Sequence, residues 1–83
     1  MKFIAMNKQL LKVATPDKFV ELGFIEERYN EGVDWNLRTK KFHLVIDMTF
    51  VVSVCRLNPD TDYIQLEVND LSDLQSIIDW VAD

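Results

Sequence analysis

A single cysteine, a single histidine, two glycines and two prolines are all that the 83-residue chain holds of those types. One thiol, Cys55, can form no internal bridge and no multi-cysteine zinc site, and one imidazole, His43, excludes a histidine-rich metal centre. Gly23 and Gly32 stand too far apart for a phosphate loop or a dinucleotide fingerprint. The acids show no EF-hand spacing; Asp60 and Asp62 lie close together but lack a third acid and the glycine of a calcium turn. No metal, nucleotide or other cofactor is therefore expected. The scarcity of Gly and Pro also leaves no linker, repeat or low-complexity tract. A chain this short removes only about 60% of its unfolded surface from water and cannot divide its core, so one domain over 1–83 is expected.

Lys and Arg are absent after Arg56. Residues 1–56 carry all nine cations against seven acids, whereas residues 57–83 carry seven acids alone, within a formal net charge of -5. Net acidity disfavours non-specific attraction to nucleic acid or anionic lipid, both polyanions. A long hydrophobic run is missing too. Phe3-Ile4-Ala5-Met6 is shorter than a secretory core and far short of the ~20 residues that cross a bilayer. With one thiol, which suits a reducing compartment, the expected location is cytoplasmic.

What is present is apolar content, 48% hydrophobic and 11% aromatic, enough to offset ordering entropy without staples. The pattern predicts an α+β fold: a mostly antiparallel β-meander of about five strands, with N-terminal and C-terminal helices on one face. Residues 1–14 read as a helix, by the spacing of Phe3, Met6, Leu10 and Val13, or as a short strand over KFIAM. Thr15-Pro16-Asp17 is a helix start and Gly23 its stop, giving Pro16–Leu22 with Phe19, Val20 and Leu22 buried.

From Phe24 to Val68 the apolar period becomes two. A three-residue loop Asn30-Glu31-Gly32, with Gly32 left-handed, sets Ile25 opposite Leu37, Glu27 opposite Trp35 and Arg28 opposite Asp34. A turn at Thr39-Lys40 aligns Trp35 with Leu44, and a loop Asp47-Met48-Thr49 aligns Leu44 with Val52. A five-residue connection around Asn58-Pro59, read as a type I turn, sets Val54 opposite Ile64 and Val52 opposite Leu66. The predicted apolar face is Ile25, Trp35, Leu44, Val52 and Leu66, covered by Leu74, Ile78 and Val81. The last helix is capped by Asn69 or Asp70, or by a Ser72–Gln75 box, and its stripe is Leu71, Leu74, Ile77, Ile78 and Val81.

The same registers place Glu26, Asn36, His43, Ser53 and Gln65 in one row on the other face. A hydrolytic site would need the nucleophile against the base, a group orienting that base, and oxyanion donors. Asn36 separates Glu26 from His43 and no donors are offered, so the row reads as a solvated ladder and no catalytic residue is assigned. Arg38-Thr39-Lys40-Lys41 is the only basic run, and a solvated hairpin tip explains it better than nucleic acid does. Trp80 departs from the helix stripe. It either covers the core's edge or anchors an interface beside the acids, so Asp73, Asp79, Trp80 and Asp83 are the candidate partner-binding residues.

The run TPDKFVELGF, the alternating strands and the ending SDLQSIIDWVAD resemble the small, uncharacterised proteins common in bacterial and phage genomes. That resemblance implies an interaction module or an inhibitor and carries over no catalytic residue. The expected function is a non-enzymatic protein–protein interaction module or inhibitor that meets a basic surface. The alternatives are a small enzyme using the row around His43, and a homo-oligomer formed through a sheet edge or through Val45, Val51 and Tyr63.

Overall fold

A computed structural model describes residues 15–82; the helix-or-strand question for residues 1–14, and Asp83, lie outside the described residues. The order is α1 (Pro16–Glu21), β1 (Ile25–Tyr29), β2 (Gly32–Arg38), β3 (Phe42–Ile46), β4 (Val52–Arg56), β5 (Ile64–Leu66) and α2 (Leu71–Val81). The sheet is an antiparallel meander in the order β1-β2-β3-β4-β5, and both helices pack on one face of it.

Pro16 occupies the first turn of α1 after an extended Thr15, where the missing N–H is not needed. Gly23 then adopts φ +106°. Its N–H donates to Val20 O at 3.0 Å, and Phe24 N–H donates to Phe19 O at 3.0 Å. These two bonds form a Schellman motif, completed by edge-to-face contact of Phe19 and Phe24 across the turn. The motif drives Phe24 into the core.

That anchor reverses the predicted parity of β1. With Phe24 inside, Ile25 faces out and is 68% exposed; it does not belong to the apolar face. Glu26, expected on the outer row, lies on the inner face opposite Trp35 and accepts the indole N–H at 3.2 Å. The hairpin loop has two residues rather than three, so Tyr29 pairs with Gly32 and Arg28 with Val33. Arg28 bonds Glu26 on its own strand at 3.0 Å instead of Asp34. Gly32 is not left-handed; a Cβ there would run into Met48 Sδ. Val20 is exposed rather than buried.

The remaining strands keep the predicted parity. Two registers slide by two residues: Leu37 meets Leu44 and Trp35 meets Ile46, while Leu44 meets Val54 and Ile46 meets Val52. The first slide follows from Thr39, whose N–H donates to Phe42 O at 2.9 Å and whose Oγ1 accepts Phe42 N–H at 3.1 Å, moving the turn to Lys40-Lys41. The second follows from Asp47, whose Oδ1 accepts Thr49 N–H, Thr49 Oγ1–H and Val51 N–H. This loop holds Phe50 at φ 63°, a conformation an aromatic residue rarely adopts, with its ring against Phe19 and Trp35. The β4–β5 register is as predicted, Val54 to Ile64 and Val52 to Leu66. The connection is not a type I turn: the Asn58–Pro59 peptide is cis and Asn58 has φ 61°.

Asp70 caps α2 by accepting Asp73 N–H at 2.8 Å, and Asp73 Oδ2 accepts Asn69 N–H at 3.0 Å. The Ser72–Gln75 box is not formed; Gln75 donates to Asp79. Leu74 and Val81 belong to the same buried cluster as Leu44, Ile46 and Val52, and Leu71, Ile77 and Ile78 pack against that cluster. Each such side chain contributes roughly 1.5–3 kcal/mol on burial, so α2 and the sheet's inner face stabilise one another.

Candidate functional site

The sheet face turned away from α1 and α2 carries a chain of hydrogen bonds that runs from β1 through β2 and β3 to Tyr63, the residue before β5. Glu27 Oε1 accepts from Asn36 Nδ2 at 2.8 Å, and Asn36 Oδ1 faces His43 Nε2 at 2.8 Å. His43 Nδ1 contacts the Tyr63 hydroxyl. A carboxylate only accepts, so it takes the amide nitrogen of Asn36 and leaves the amide oxygen for His43. Nε2 is then the protonated nitrogen of the neutral imidazole, and Nδ1 accepts from Tyr63. The whole tautomer assignment follows from Glu27 at one end.

His43 is only 6% exposed. It is therefore not part of a solvated ladder. Burial first, and Arg38 second, hold its pKa below the ordinary value, with Glu27 opposing. Burial also raises the Tyr63 phenol, aided by its neighbour Cys55, which is buried opposite His43.

The predicted outer row is not assembled as expected. Glu26 lies on the other face, Ser53 sits opposite Val45, and His43 sits opposite Cys55. Both imidazole nitrogens are engaged by Asn36 and Tyr63. A serine nucleophile paired with His43 is not present in this geometry. Among the described residues no three His, Cys, Asp or Glu side chains come together to hold a metal ion.

Beside the network lies a concavity of about 320 Å³ bounded by Tyr29 and Tyr63, with Val45, Val51 and Ser53 as its floor and Asp34 and Asp47 along it. A second concavity of about 290 Å³ adjoins it, sharing Tyr29, Asp34 and Asp47 and ending at Met48 and Gly32. Sequence reasoning did not find this groove, because the wrong β1 parity hid Glu27 and Tyr29 on the inner face. Slight desolvation raises the Tyr29 phenol, helped by the charges of Glu27 and Asp34 and by a hydrogen bond with Asp34.

Among the candidate partner-binding residues, Asp73 is tied to the cap of α2 and Asp79 accepts from Gln75 at 2.9 Å. Asp83 lies outside the described residues. Trp80 is 63% exposed and leans on Phe42, ring centroids 4.9 Å apart. Lys40 and Lys41 border it on the far side, so the indole lies between the acids of α2 and the basic hairpin tip.

Comparison with protein families, curated proteins and solved structures returned no match. Among the described residues, no helix is long and apolar enough to cross a membrane.

Proposed function

We propose that the chain is a non-enzymatic interaction module, a binder or inhibitor of a protein that presents a basic surface. One observation carries this reading. Among the described residues, Asp60, Asp62, Glu67, Asp70, Asp73 and Asp79 form no ion pair; the two ion pairs found there, Lys18–Glu21 and Arg28–Glu26, both lie before Val33. Acids without counter-charges project an uncompensated field, which steers a cationic partner from a distance and is screened by salt. Trp80, half free of Phe42 at the border of this field, supplies an aromatic anchor of the type that dominates binding hot spots.

The test captures a partner from native lysate, identifies it, and measures its association and dissociation rates at low and high salt. Association is expected to slow steeply with salt. Asp73→Asn with Asp79→Asn keeps an acceptor oxygen for Asn69 and Gln75 while removing two charges, so it slows association. Trp80→Ala mainly speeds dissociation. Rates indifferent to salt and to both variants would remove this surface from consideration.

A further inference from the structure

The groove on the open sheet face has a composition that selects its occupant. Asp34, which lines it, is the direct cross-strand partner of Glu27 beside it, and like charges so placed destabilise a sheet. Asp47 follows one step beyond the Trp35–Ile46 pair; its Oδ1 serves the loop and its second oxygen is left for another donor. No Lys or Arg of the described chain forms an ion pair with any of the three. The walls are two phenols, Tyr29 at 53% and Tyr63 at 52% exposure, with ring surface available to a ligand. The hydroxyl of Tyr63 gives its proton to His43, so its oxygen offers lone pairs to the groove.

Acceptors on one side and aromatic faces on two ends fit a flat organic cation. Guanidinium is planar, stacks on a phenol face and forks onto carboxylates, whereas an ammonium group is a compact point charge that does neither as well. Each concavity lies near the lower bound of about 300 Å³ for small-ligand sites. That is room for one long side chain rather than a cofactor. Two concavities in line, sharing Tyr29, Asp34 and Asp47, suit successive side chains of an extended segment.

We infer that this groove receives an arginine-bearing extended segment of a partner protein, one guanidinium against Asp34 and Asp47 with its plane on the ring of Tyr29. The inference shares with the proposed function the sign of the partner's charge, but it uses the opposite face of the sheet.

The experiment titrates the isotopically labelled full chain with three short capped peptides of alternating serine and arginine, serine and lysine, or serine and citrulline, and follows amide shifts. The arginine peptide is expected to shift Asp34, Val45, Asp47 and Ser53 and to bind more tightly than the lysine peptide, with citrulline silent. Asp34→Asn should weaken it about three- to tenfold, the loss of one charge-assisted contact. Glu21→Gln, which removes an equal charge on α1, should not. Tyr29→Leu tests the stacking independently, and unchanged shifts elsewhere show that both variants fold. Equal binding of the lysine peptide, or indifference to Asp34→Asn and Tyr29→Leu, overturns the inference. Shifts confined to α2 overturn it while leaving the proposed function standing. Groove shifts on concentrating the protein alone assign the face to a second copy and overturn it as well.

Discussion

His43 shows how far one side chain can depart from its sequence-level reading. At alternating positions on an antiparallel strand it reads as a solvated polar residue, for which replacement would change stability by no more than about 0.5 kcal/mol. In the fold it is buried between Asn36 and Tyr63, so His43→Gln is expected to destabilise by roughly 1–3 kcal/mol at neutral pH. The pH dependence has a definite sign. Burial depresses the folded pKa below the ordinary 6.5, so between the two values the unfolded chain binds the extra proton and the native chain does not. Stability is complete above the unfolded value and falls as pH drops through it. Denaturant melts of both proteins at pH 7.5 and 5.5 check this: the gap between them should narrow at the lower pH. A constant gap would show that the imidazole is not held neutral. Nothing in the sequence marked His43 as buried, because the partners that enclose it come from β2 and beyond β4. Phe50 is similar: its positive φ depends on three bonds to Asp47, and only the Asp at the loop's start hinted at them.

Elements were more legible than the registers joining them. A cap for α2 at Asn69, Asp70 or Ser72, of which the fold uses Asp70, the apolar stripe of α2, the start of α1 at Thr15-Pro16 and the five strands all follow from local chemistry, and the parity of β2 to β5 follows from period-two patterning. The parity of β1 did not, since Ile25 is a better apolar candidate than Glu26 in isolation. It is decided by the turn before it, where the Schellman closure at Gly23 commits Phe24 to the core. With that parity went Glu27 and Tyr29, and hence the groove. Gly23 is a clean test of the closure. A Cβ there would meet only Leu37 Cδ1 at 3.7 Å, ordinary contact, so Gly23→Ala loses through φ alone, by about 1–2 kcal/mol. A D-alanine at the same position favours positive φ and should be neutral or stabilising. Chemical denaturation of the two proteins distinguishes them, and equal losses would point to packing instead.

At the scale of the whole molecule, the described helices cover one face of the sheet. That inner face is spent on the aromatic cluster around Phe19 and on α2, and the surfaces proposed for recognition are accordingly the outer face and the acidic C-terminal part with Trp80. Charge asymmetry was visible in the sequence; the groove was not, because it is assembled from four strands at once. The order β1-β2-β3-β4-β5 has a further consequence in time rather than space. Among the described residues every strand is bonded only to its sequence neighbours, and no other described strand clamps the edges. Local opening can therefore begin at β5, three residues long, or at β1, without disturbing β3. Amide hydrogen exchange should be slowest in Leu44 and Ile46, intermediate in β2 and β4, and fastest in β1 and β5. Uniform protection across all five strands would mean that the sheet opens only as a unit. A graded profile would mean that its rims breathe while its centre, with the base of the His43 network, stays closed.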